Sequence, residues 1–158
     1  APRAGTAPVT ERTRIRTAVE GAVAARKAAR SWSIAVPKGW EHEAEDALDT
    51  FFDPDGVGAL QISSFTKSSG DVDERDLAES IEDMKLAGVS RRPAAFGPFA
   101  GYAFERDEGE QRGQYWFLRA GPVMLFITYF CDKHDAGKEA RIVLQALSSL
   151  RLAEPAGA

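Results

Sequence analysis

A chain of 158 residues, 44% hydrophobic and 28% charged, is the size of one domain and long enough to bury a core. Its longest apolar run, Val123 to Cys131, falls well short of the ~18 residues that cross a bilayer. Cys131 is the only cysteine, which excludes an intrachain disulfide, and the net charge of −4 argues against a phosphate backbone as partner of the folded body.

That charge is divided unevenly. Residues 1–30 carry seven basic and two acidic residues, a net +5, which leaves thirteen basic and twenty-two acidic residues, a net −9, on the remainder. Residues 1–8 read as a disordered lead. From Thr10 to about Arg30 the chain is rich in Ala, Arg and Glu, with Ile15, Val19, Ala22 and Val23 at helical spacing. This basic arm is expected to be partly helical, to be solvated or to pack on the acidic body of its own chain, with RNA or an anionic membrane as alternatives.

The body begins at Trp32. Ser31–Val36 has strand composition and stops at Pro37, and Lys38-Gly39-Trp40 turns the chain. Ala47–Phe52 and Val57–Lys67 read as a hairpin joined by Asp53-Pro54-Asp55-Gly56. A helix follows, capped by Asp73, with Leu77, Ile81 and Met84 on one face and Gly88 at its end. Three strands come next, at Tyr102–Asp107, Gln114–Ala120 and Val123–Cys131. A last helix, from about Asp135 to Leu150, carries Ala136, Ala140, Val143, Leu147 and Leu150 on one stripe. The strands from Gln114 onward are apolar on both faces, so both faces need cover, and only helices are available to give it. Short connections make the sheet mainly antiparallel. The expected fold is therefore α+β: a twisted, mainly antiparallel sheet flanked by helices on both faces. It occupies residues 31–152, with the arm before it and a disordered tail, 153–158, after it.

The order of these elements, with "SIAVPKGW", "GALQIS", "FGPFAGYAFERDEGEQRGQYWFLRAGPVMLFITYF" and "ALSSLRL", resembles the PsbP-like α/β/α superfamily. That superfamily also holds a nuclear Ran-GTPase release factor, and the likeness is greatest to its small bacterial members. The resemblance covers residues 31–152. It implies an α/β/α sandwich and a mostly non-enzymatic group of binding factors, photosystem extrinsic subunits, lipoproteins, and chaperone or immunity partners. It carries no functional residue onto this chain.

Candidate chemistry rests on two histidines. His42 sits in Glu41-His42-Glu43-Ala44-Glu45-Asp46, where alternation sets the glutamates opposite the imidazole. A solvated acidic loop is expected there rather than a metal site. Cys131-Asp132-Lys133-His134 has the residue types of a Cys–His pair, but Cys131 closes an apolar strand and reads as a small hydrophobe. Asp53-Pro54-Asp55-Gly56 reads as a turn, since a calcium loop would need an acid where Ser64 stands. No catalytic residue, cofactor or metal is expected. Trp40, Phe96 and Phe99 lie in Gly/Pro-containing connections and read as interface anchors, with caps on the sheet ends as the competing role.

The leading expectation is a non-catalytic protein-binding module, an adaptor, chaperone-like factor or immunity-type partner. The alternatives are a small hydrolase or ligand-binding protein using a His-containing groove, and an accessory domain of a larger or envelope-associated assembly. A cytoplasmic address is expected. A leader removed before Ala1 would make it periplasmic or secreted.

Overall fold

The computed structural model describes residues 30–153. The helix expected at Thr10–Arg30 and the C-terminal tail fall, but for Arg30 and Ala153, outside them. In chain order the elements are β1 (Trp32–Ser33), β2 (Glu41–Ala44), β3 (Leu48–Phe52), β4 (Gly58–Thr66) and α1 (Glu74–Asp83). There follow β5 (Arg91–Phe96), β6 (Phe99–Glu108), β7 (Gln111–Ala120), β8 (Val123–Asp132), a 3-10 turn (Lys133–Asp135), α2 (Ala140–Ser148) and β9 (Arg151–Leu152). One seven-stranded sheet runs β2-β3-β4-β8-β7-β6-β5 with every neighbouring pair antiparallel. β1 pairs with β9 in a separate small ribbon.

The most apolar strand lies in the middle. Alternation in β8 sends Val123, Leu125, Ile127 and Tyr129 into one cluster with Leu60, Ile62, Trp116 and Leu118. Val143 and Leu147 of α2 belong to that same cluster. Leu77 and Ile81 of α1 form a second cluster with Phe104, Tyr115 and Phe117, against which Met124, Phe126 and Phe130 pack. Each fully buried Leu, Ile or Phe contributes about 1.5–3 kcal/mol, so these clusters dominate the stability of the sheet.

Local chemistry sets the element ends. Asp53 turns the chain between β3 and β4, its side chain accepting from the Asp55 amide (2.9 Å) and its carbonyl from the Gly56 amide (2.8 Å). Asp73 caps α1 in a capping box with Asp76, each side chain accepting from the other's backbone at 2.9 Å. The far end of α1 differs from the expected stop at Gly88. Lys85 takes the left-handed conformation (φ 61), with the Leu86 amide reaching Ile81 O at 3.0 Å and the Lys85 amide reaching Glu82 O at 2.8 Å. α2 is shorter than expected, because Gly137 at φ 89 breaks the chain between the 3-10 turn and Ala140. The strand expected over Ser31–Val36 pairs only at Trp32 and Ser33. β2 and β5 are strands that the sequence pattern does not announce.

Arg106 ties the end of α1 to the sheet. It donates to Lys85 O (3.0 Å) and to the Glu108 carboxylate (2.9 Å), which also accepts from the Tyr115 hydroxyl. The Tyr115 hydrogen bond, helped by Arg106, holds the Glu108 carboxyl below its ordinary value of 4.5. Burial first, and then the bond to Glu108, push the Tyr115 phenol up to about 12.

Two outcomes follow from these contacts. Lys85→Gly relieves the left-handed backbone at some cost in chain entropy, and should raise the free energy of urea unfolding by about 0.5 kcal/mol. Glu108 contributes fully above pH 4.5 and loses its contribution as pH falls through its depressed folded value. Tyr115 contributes below pH 10 and loses its contribution between 10 and about 12. Urea unfolding measured across this range should weaken at both ends, and Tyr115→Phe should flatten both declines.

Candidate functional site

Where α1 ends at its N-terminal cap, no described element covers the sheet face beyond it. Cross-strand register puts Pro93 opposite Tyr102, Ala95 opposite Ala100, and Ala100 opposite Arg119, so these side chains share a face. They line a groove of about 690 Å³, closed on its far side by Asp71, Val72 and Glu74. The floor is made of small residues. Ala95 and Ala100 are exposed, and Gly101 lies where strands β6 and β7 approach so closely that a Cβ would collide with the Phe117 carbonyl. A groove of this volume admits a large apolar side chain.

The rim is polar and its members hold one another. Glu74 accepts from the Tyr102 hydroxyl at 3.0 Å and lies 3.4 Å from the Arg119 guanidinium, which also donates to Val72 O at 3.0 Å. The Arg91 guanidinium lies over the Tyr102 ring, 4.0 Å from its centroid. The outer wall is β5, last in the strand order among the described residues. Pro93 has no N–H to give β6, so the backbone groups of Arg91, Pro93 and Ala95 turn to the open edge and those of Arg92, Ala94 and Phe96 to β6.

The anchors expected on loops are placed otherwise. Phe96 and Phe99 belong to β5 and β6 and face each other across the turn at Gly97-Pro98. Phe99 is wholly buried and Trp40 is 5% exposed, both within the α2 cluster. Phe96 packs edge-on to Trp116 with centroids 6.5 Å apart. Their neighbouring Gly and Pro residues suggested display, but the large rings instead close the apolar end of the sheet.

The Glu41–Asp46 segment is a second correction. The expected solvated loop is a strand, β2, with Glu41, His42 and Glu43 all buried. Alternation does hold, since His42 faces Phe51 and stacks on it (4.5 Å, 8°) while Glu41 and Glu43 take the other face. His42 donates from Nε2 to Asp49 Oδ1 at 2.7 Å, and Arg30 Nε donates to Asp49 Oδ2 at 3.0 Å. Arg30 also caps the β2–β3 turn, donating to Glu45 O (2.7 Å) and Asp46 O. Asp49 is fully buried, and this triad holds the hairpin together.

Cys131 is buried as expected, and burial pushes its thiol up, away from thiolate chemistry. His134 is exposed, with Nε2 3.5 Å from Asp135. Asp132, His134 and Asp135 offer ligand atoms within 4.8 Å of one another, but the Lys138 ammonium already stands 2.7 Å from Asp135.

No family model and no curated protein matches the sequence. Among solved structures, a protein of Bacteroides thetaiotaomicron VPI-5482, crystallised and refined at 1.50 Å, is similar in fold, with a TM-score of 0.60 at 18% identity. The match covers 81% of this chain and 47% of that one, so this chain spans less than half the length of its structural neighbour.

Removing the carboxylate at position 49 leaves Arg30 and His42 facing each other without their shared acceptor. Asp49→Ala should lower the free energy of urea unfolding by about 3 kcal/mol, several times the cost of an exposed pair.

Proposed function

We propose that this chain is a non-catalytic protein-binding module of the PsbP-like α/β/α type. In this reading α1 and α2 lie on opposite faces of the sheet, and the groove beside α1 receives an extended segment of a partner. The groove itself carries the reading. Its floor of Ala95, Ala100 and Gly101 offers depth without reactive groups, while Arg91, Tyr102, Glu74 and Arg119 form a rim able to orient a backbone. The open edge of β5 adds donors and acceptors for a short added strand, and Pro93 limits how many. Affinity then has to come from a side chain of the partner seated on the alanines, with the edge fixing its direction.

Two clusters sharing the middle strand support the three-layer arrangement. The element order and signatures between residues 31 and 152 support the superfamily, and the buried, proton-retaining Cys131 fits a scaffold better than a nucleophile.

A library of extended peptides displayed against the full chain tests this. Selected peptides should share one large apolar residue. Ala100→Trp or Ala95→Trp, which fill the groove from exposed positions, should weaken them more than about 10-fold while leaving the melting temperature nearly unchanged. Selection of nothing, or of peptides indifferent to both substitutions, would remove the groove as a recognition site.

A further inference from the structure

Two adjacent arginines on the outer strand give the groove a chemistry that its alanines do not. Residues 31–158 carry thirteen basic and twenty-two acidic residues, yet Arg91 and Arg92 stand together, both exposed, at the start of β5. Neither is ion-paired among the described residues, and the acids that neighbour them are engaged elsewhere. On the groove face, Glu74 is held by the Tyr102 hydroxyl and Arg119. On the other face, Glu105 lies two residues along β6 from the Ala103 opposite Arg92, and is held by Arg112 (3.5 Å) and Gln114 (3.2 Å). The Arg91 guanidinium, stacked 4.0 Å from the Tyr102 centroid, keeps its N–H edge for a planar anion.

We infer that the partner segment is acidic at one end and adds to β5 as an antiparallel strand. It sets a large apolar residue over Ala95, with acidic residues three and four positions later facing Arg92 and Arg91. This rests on the groove being the recognition site. Antiparallel addition lets Arg91 and Ala95 each exchange two backbone hydrogen bonds with the added strand, and only the Pro93 amide is missing between them. Residues opposite each other share a face, so the residue facing Ala95 enters the groove and the one facing Arg91 returns to the same side. The residue facing Arg92 takes the other side, so adjacent acids meet one arginine each. Asp71 stands off, next to Val72, whose amide bonds Gly121 O (2.9 Å) past the end of β7, two strands and about 10 Å from β5. The occupant is a separate chain, because residues 1–29, with six basic and two acidic residues, have the wrong charge for it.

The peptide library displayed against the full chain tests this, since acids can occur in it at any position. Selected sequences should carry two adjacent acidic residues, three and four positions after the apolar one. A consensus peptide with both acids changed to amides should bind about 5-fold more weakly, the effect of two exposed ion pairs. That difference should fall below about 2-fold against Arg91→Gln/Arg92→Gln. It should fall part of the way against Arg92→Gln alone, which leaves the Arg91–Tyr102 stack in place. Apolar peptides selected without acids, or acids that keep their full advantage in both variants, overturn the acidic partner while the groove stands. Acids placed before the apolar residue overturn the antiparallel direction. Selection of nothing removes groove and partner together. A dimer in sedimentation that the consensus peptide dissociates makes a second copy the occupant, and overturns the inference as well.

Discussion

A strand with no polar face can sit only inside a protein, and β8 is such a strand. Val123, Leu125, Ile127 and Tyr129 are buried on one side, while Met124, Phe126 and Phe130 pack on the other. β7 meets the same condition with Trp116 and Leu118 against Tyr115 and Phe117. These two strands pair in the interior of the order, and polarity rises outward from them to β2 and β5. Exposing either flank of β8 would cost a few kcal/mol per side chain. The two apolar clusters that share β8, the closure of the Phe96–Phe99 turn and the burial of Trp40 are all answers to that demand.

The outer strands obey different rules, and for that reason they were the least legible in the sequence. An edge strand hydrogen-bonds on one side only, and charge or proline on it guards against stray pairing. Arg91-Arg92-Pro93-Ala94-Ala95-Phe96 has that character and reads locally as a loop. Glu41-His42-Glu43-Ala44 reads as a solvated acidic run because its partners, Asp49 and Arg30, lie elsewhere in the chain, and only the folded hairpin brings them together. The central strands, the Asp53–Gly56 turn and the Asp73 cap were legible because each depends on residues within a few positions of one another. The burial of Trp40 and Phe99 was not legible, because glycine and proline mark where a chain bends and say nothing about whether the bend faces water.

The groove was invisible for a plainer reason. Its floor is alanine, glycine and proline, residues that carry no chemical signal and recur throughout the chain. What joins them into a groove is register: Ala95, Ala100 and Arg119 are aligned across three strands just where α1 stops. The two ends of the sheet thus differ in kind. One presents small side chains and a rim of mutually paired charges. The other withdraws its carboxylates from water.

Gly101 sets apart what can vary in that groove from what cannot. Any side chain there meets the Phe117 carbonyl, so the close approach of β6 and β7 is locked. Ala95 and Ala100, a residue or a strand away, are exposed and can be enlarged without touching the core. On the proposed reading of the groove, divergence within such a fold would rewrite specificity through two tolerant positions while one intolerant position keeps the mould in register, so that related chains with the same backbone could each come to prefer a different partner.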